Sequence, residues 1–168
     1  MTEASIRAAF PSWPQYNARL RAAVASLSAE QLAIQPGPGR WPLWATIGHL
    51  ACQRVFWLCV FAREPGAATT RFTDSGHNCP GDDDLEAVLG PVELVEAIDS
   101  TYRIVERCLD TWTPGMLAEV ISHPEWGEDW TKTRGWVLER VFAHDLWHMA
   151  ELNEALGRAG LAQINLWG

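Results

Sequence analysis

Two histidines near the C-terminal end of the chain have the spacing of a metal chelate. His144 and His148 are four residues apart in a stretch whose apolar residues recur at helical intervals. At about 100° per residue, positions four apart lie roughly 40° from each other on one face of a helix. Two imidazoles placed this way can bind one metal ion, as the paired histidines of an HExxH helix do. The same spacing also fits two histidines buried in a helical core.

A third histidine favours the metal interpretation. His49 falls early in a second apolar helix and shares a face with Ala45, Cys52 and Phe56. Three protein ligands leave one position open for water or substrate, the pattern of a reactive site. Neutral imidazoles suit Zn, Ni, Fe or Cu better than Mg or Ca. Cys52, one turn from His49, is a conceivable fourth ligand, but a buried thiol is the commoner role of such a cysteine.

Glu151 is the candidate catalytic carboxylate, three residues after His148. It could accept an imidazole N–H or act as a general base near the metal. It could equally be a polar residue near the end of a bundle. Asp145 lies about 100° from His144 and is expected in solvent or as a partner between helices. Arg54 and Arg134 are candidates to hold an anionic substrate, although their spacing does not require it.

Four long helices are predicted to position these side chains, at about 14–26, 43–63, 91–112 and 134–157. Ser28 with Gln31 forms a capping box, Pro91 suits a first helical turn, and Thr133 is a candidate cap for the last helix. Residues 116–132 alternate weakly and carry Gly and Pro breaks, which predicts a short irregular or hairpin excursion. The expected fold is all-α, an antiparallel four-helix bundle formed as a single domain by residues 1–168.

Composition excludes several function classes. The 168 residues are 48% hydrophobic with a net charge of −8, so a nucleic-acid footprint is not expected. The single lysine, Lys132, argues against a polybasic membrane patch, and the apolar run 55–62 is too short to cross a bilayer. Without a secretory signal, we expect a soluble cytoplasmic protein whose four cysteines are reduced. His123, which precedes a proline, is expected at the surface. Ten tryptophans are enough to line a pocket or an interface as well as a core.

Three segments resemble the DinB-like (DinB/YfiT) superfamily. They are Ile47-Gly-His-Leu before an aromatic-rich helix, WVLERVFAHDLWHMAEL at 136–152, and the ending GLAQINLW at 160–167. The resemblance implies a four-helix bundle, often dimeric, with a divalent metal held by three histidines that match His49, His144 and His148. The family more often has an amide where this chain has Glu151.

The resemblance also implies a chemistry. Some members are metal-dependent transferases of low-molecular-weight thiols such as mycothiol or bacillithiol, and one group isomerises maleylpyruvate. By analogy, a bound metal, Zn or Ni first and Fe next, would hold a thiol cosubstrate as the thiolate for attack on a small-molecule substrate. A homodimer is expected, with no nucleic-acid or membrane partner. Two alternatives stay open: a non-catalytic module for small-molecule binding or stress-response interactions, and a metal that only stabilises the fold.

Overall fold

Helices dominate the computed structural model, which describes residues 4–73, 79–82, 84–127 and 130–167. In these ranges the α-helices are α1 (Trp13–Ala25), α2 (Ala29–Leu32), α3 (Leu43–Val55), α4 (Pro91–Thr111) and α5 (Arg134–Arg158). The four long helices form a bundle in which α4 packs against α1 and α3, and α3 packs against α5. This arrangement confirms the predicted all-α bundle.

The helix starts follow the predicted capping signals. The Oγ of Ser28 accepts from the backbone N–H of Gln31, and the Gln31 side chain accepts the Ser28 N–H at 2.8 Å. The Oγ1 of Thr133 accepts the N–H of Trp136 at 3.1 Å at the start of α5. Each contact satisfies a backbone donor that the first helical turn leaves free. The cap on Thr133 fixes where α5 begins, and therefore where its histidines lie.

The predicted hairpin excursion is confirmed between α4 and α5. Strands β1 (Val120–Ser122) and β2 (Thr131–Thr133) pair antiparallel, with Val120 opposite Thr133. The surface prediction for His123 is wrong, because this side chain is only 4% exposed. Its Nε2 lies 2.8 Å from the carbonyl oxygen of Phe61, and its ring stacks on Trp126. The excursion folds back over the end of the second bundle helix, which buries the imidazole.

The second bundle helix has two parts where the sequence predicts one. Helix α3 ends at Val55 and continues as a π-helix, Phe56–Phe61, in which the ring centroids of Trp57 and Phe61 lie 5.4 Å apart. The continuous segment Leu43–Phe61 is long and apolar enough to cross a membrane, yet most of it is buried inside the protein. Such burial is typical of the core helix of a soluble fold.

A buried ion pair joins three helices next to the histidines. Arg54 on α3 is 1% exposed, and its Nη2 donates to Asp145 Oδ2 on α5 at 2.8 Å. The same oxygen accepts the indole N–H of Trp13 on α1 at 2.9 Å. Asn17 accepts from Arg54 Nη1 at 3.0 Å. Asp145 is therefore a partner between helices, and its contacts fix the rotation of α5 that turns His144 into the core.

The cysteines are not all reduced, contrary to the expectation from sequence. Cys52 and Cys79 form a disulfide, whereas Cys59 and Cys108 are free. Cys79 lies beside α3, with its Cα atom 5.9 Å from that of Cys52, within the range that a disulfide needs. Cys52 therefore has no free thiol to offer as a fourth metal ligand.

Candidate metal centre

Three ring nitrogens converge where α3 packs against α5. His49 Nε2 lies 3.2 Å from His144 Nε2, which in turn lies 3.1 Å from His148 Nε2. All three side chains are buried, and they offer one ligand atom each within 4.8 Å of one another. The structure thus brings together the three histidines that the sequence singled out, although His49 and His144 are 95 positions apart.

The spacing of these nitrogens fits a bound metal ion. Two nitrogens held tetrahedrally at about 2.0–2.1 Å from one ion stand roughly 3.3 Å apart. The observed separations of 3.2 and 3.1 Å are close to that value. A set of three imidazoles suits a transition metal of the zinc, nickel or iron type and leaves one coordination position open.

The surroundings of His144 and His49 favour the neutral imidazole that binds metal. Burial is the main cause that lowers the pKa of His144 to about 2, and the neighbouring His148 and His49 lower it further. Burial likewise lowers the pKa of His49, while the nearby carboxylate of Asp82 acts in the opposite direction. At neutral pH both rings therefore carry a free lone pair, because a ligating imidazole must be unprotonated at the donor nitrogen.

Carboxylates face the far side of two of the rings. His148 Nδ1 lies 2.8 Å from Glu151 Oε2, and His49 Nδ1 lies 3.4 Å from Asp82 Oδ2. A carboxylate that accepts from Nδ1 keeps the proton there and leaves the Nε2 lone pair for a metal. The contact agrees with the interpretation that Glu151 accepts an imidazole N–H. Its role as a general base stays a prediction. Trp41 packs against His49, with 4.9 Å between the ring centroids.

A cleft of about 460 Å³ opens beside His148. This volume is in the range of small-molecule sites. Its walls come from the loop before α3 and the last turns of α5, and Arg40 lies 3.5 Å from Glu151 at its edge. The lining residues are Pro36, Gly37, Pro38, Gly39, Arg40, Trp41, Leu43, Thr46, His148, Glu151, Leu152, Glu154, Ala155 and Arg158.

The arginines chosen from sequence do not line this cleft. Arg54 is paired with Asp145 in the core, and Arg134 pairs with Glu64 at 2.6 Å. Arg40 and Arg158 are the arginines found in the cleft lining. The loop that carries Arg40 is rich in Pro and Gly, and Arg40 reaches the cleft because this loop lies against the last turns of α5.

The tryptophans divide between core, surface and site. Trp44 and Trp57 are buried, whereas Trp136 and Trp147 are exposed. Trp41 contacts both the cleft and the ring of His49. Sequence reasoning did not single out Trp41, although its place directly before Pro42 and the start of α3 is a signal for a residue at the entrance of that helix.

The comparison with known families decides the affiliation of this bundle. The family model of the DinB superfamily matches residues 15–152, which include the three histidines and Glu151. The chain belongs to the DinB superfamily.

Solved structures agree with this DinB-superfamily fold. A DinB-like protein from Bacillus cereus ATCC 10987 is 15% identical and aligns with a TM-score of 0.69 over 96% of this chain and 97% of its own. A conserved protein from Enterococcus faecalis is 12% identical, with a TM-score of 0.71 over 95% of this chain and 99% of its own. At such low identity the likeness establishes the fold alone. No curated protein sequence matches the chain.

Proposed function

We propose that this DinB-superfamily protein is a metal-dependent transferase, or a related hydrolase, that acts with a low-molecular-weight thiol on a small-molecule substrate. His49, His144 and His148 would hold one divalent transition metal, zinc or nickel first and iron next. The observation that carries the proposal is the convergence of three buried Nε2 atoms beside an open cleft, with His144 Nε2 3.2 and 3.1 Å from the other two.

The chain's own residues supply binding and proton handling around that centre. When bound, the metal would lower the pKa of a thiol so that the reactive thiolate forms at neutral pH. Trp41 and Leu152 give the cleft an apolar wall, and the guanidinium of Arg40 would offer a partner to an anionic group of a substrate. Glu151 Oε2 engages His148, so Oε1, which lies 3.5 Å from Arg40 Nη2, would be the oxygen that accepts a proton from a molecule in the cleft.

Elemental mass spectrometry tests the metal centre directly. Tag-free protein purified without added metal should contain close to one equivalent of zinc, nickel or iron. The His144→Ala/His148→Ala variant should contain none. His123→Ala is the matched control, because His123 is also buried but contacts Phe61 and Trp126 instead of the cluster. Equal metal content in parent and double variant would refute the site.

An activity screen separates the enzyme from the alternatives. We expect transfer of a low-molecular-weight thiol to some members of a panel of electrophiles, and loss of that transfer on chelation. A non-catalytic binding module is the second candidate, supported by the size and amphipathic lining of the cleft. It predicts ligand binding that survives chelation. A metal with a purely structural role predicts loss of the helical circular dichroism signal when the ion is removed.

A homodimer and a cytoplasmic location are part of the proposal. Exposed Trp136 and Trp147 on α5, the latter 67% exposed, support self-association through that helix. Sedimentation should give a dimer at micromolar concentration that Trp147→Glu dissociates, and a monomeric parent would refute it. Since disulfides are rare in the cytosol, cell fractionation combined with trapping of free thiols should show where the Cys52–Cys79 pair is oxidised.

A further inference from the structure

A short segment, residues 79–82, covers His49 from outside the bundle. Cys79 is joined by the disulfide to Cys52, one helical turn beyond His49. Pro80 packs so closely on Gly48 that a Cβ there would lie 3.0 Å from the Pro80 Cγ. Gly81 has φ +88° and lies against the Trp41 ring, where a Cβ would come within 2.8 Å. The 79–82 segment is therefore fitted to the backbone and aromatic ring that flank His49.

The last residue of the 79–82 segment faces the nitrogen of His49 that points away from the cluster. His49 Nδ1 is buried and has no hydrogen bond of normal geometry to any described residue; Asp82 Oδ2 lies 3.4 Å from it, and the Pro80 backbone also favours the protonated ring. A few tenths of an ångström would convert this ion-pair distance into a hydrogen bond. The relation repeats the contact between His148 Nδ1 and Glu151. Two ligands from different helices thus each have a carboxylate at Nδ1.

We propose that the 79–82 segment is a positioning element for the metal ligand His49. Asp82 accepts the Nδ1–H, which fixes the tautomer and the ring orientation, and the Cys52–Cys79 disulfide holds Asp82 in place. This inference rests on the proposed metal site. The side chain of Asp82 is 52% exposed, so it gains little from burial, and the disulfide is the covalent restraint on its position. Metal affinity therefore depends on whether this disulfide is intact.

The disulfide can be opened in two complementary ways. A water-soluble phosphine delivers two electrons to the S–S bond, giving two thiols and, with water, the phosphine oxide. The freed thiol of Cys52 is one turn from His49 and can itself bind metal. The variant Cys52→Ala/Cys79→Ala removes the covalent link without adding a thiol, and so isolates the effect of the link.

Metal affinity is the readout, measured with zinc against a chromogenic chelator and with cobalt by its visible spectrum. Asp82→Ala and Cys52→Ala/Cys79→Ala should each weaken zinc binding about 10- to 100-fold, the usual effect of losing an outer carboxylate partner. The variant that combines all three substitutions should bind zinc as well as whichever of these two variants binds less tightly. The reason is that an Asp82 without the disulfide already contributes little to zinc binding. Asp82→Asn should recover part of the affinity, since an amide oxygen also accepts from Nδ1. Glu86→Ala, an exposed carboxylate nearby, should match the parent.

Each result decides between the parts of the inference. Parental affinity in Asp82→Ala overturns it, and losses that multiply in the triple variant overturn the link between disulfide and Asp82. Asp82 is exposed, so its variant can be read even if the cysteine variant does not fold, and the phosphine-treated parent then replaces that variant. A parent that binds neither zinc nor cobalt refutes the proposed function together with this inference. If the parent binds zinc and cobalt, and Asp82→Ala binds them equally tightly, only this inference is refuted.

Discussion

Replacing Asp145 with alanine tests how strongly the buried ion pair supports the bundle. The substitution leaves the guanidinium of Arg54, which is 1% exposed, without its counter-charge. It also removes the acceptor of the Trp13 indole N–H. Breaking one side of a buried pair costs about 3–5 kcal/mol, and an unsatisfied buried donor about 1–3 kcal/mol. Because the two groups share one carboxylate, we expect about 4–6 kcal/mol in all, a large part of the stability of a domain this size.

Urea unfolding followed by circular dichroism measures this loss as a change in the free energy of unfolding. Asp99→Ala is the matched control, because it also removes a carboxylate 2.9 Å from an arginine, Arg21, but at the surface. That change should cost about 1 kcal/mol or less. The double variant Arg54→Met/Asp145→Leu should be more stable than Asp145→Ala, since it leaves no buried charge unpaired.

Equal costs for Asp145→Ala and Asp99→Ala would refute the reasoning. They would mean that water reaches the Arg54 guanidinium, so that the pair behaves as a surface contact. The double variant adds a test of the site. If the contacts of Asp145 fix the rotation of α5, the double variant, which lacks them, should bind metal at His144 and His148 more weakly than the parent.

Three further predictions concern protons, thiols and backbone. In the metal-free protein the pKa of His144 lies far below its unfolded value of about 6.5, so the unfolded chain takes up the proton first. The contribution of His144 to the free energy of unfolding is present in full above about pH 6.5. It should fall by about 1.4 kcal/mol for each pH unit below that value. Urea midpoints that stay level from pH 7 to 5 would contradict this prediction. In denaturant, two thiols should react with a chromogenic disulfide before reduction and four after it. In the native protein the thiol of Cys108 should not react, because burial raises its pKa to about 12. Gly81→Ala should lower the thermal midpoint and weaken zinc binding, because φ +88° and the Trp41 ring leave no room for a Cβ; unchanged values would show that the 79–82 segment can move aside.

Local signals in the sequence predicted the parts of the fold that local physics controls. The cap at Thr133 and the apolar period after it located α5 to within a residue, and with it the shared face of His144 and His148. The weak alternation and the breakers at 116–132 predicted the hairpin. In each case the determining interactions join residues close in the chain, at most 13 positions apart for Val120 and Thr133, so they can be read from spacing.

The surroundings of the histidines could not be read in this way. Asp82 reaches His49 only because a loop without periodicity returns across α3, and the Cys52–Cys79 pair closes 27 positions with no spacing motif. Arg54 looked like a ligand for a substrate anion, because nothing in its neighbourhood marks Asp145 as a partner 91 positions away. These contacts depend on how the helices pack against one another. The hydrophobic period of a helix shows which face is buried, but not which residues of another element that face meets.

The uneven distribution of the three histidines along the chain has a consequence for folding. His144 and His148 are neighbours in any helical fragment of α5, while His49 is 95 positions from His144. An ion captured first by the local pair would complete its coordination by closing a loop of that length, at an entropic cost of about 4 kcal/mol. Metal present during synthesis would thus bind first to α5, which is made after α3, and His49 on α3 would then complete the site. The ion would act as a late, reversible crosslink between the two ends of the fold.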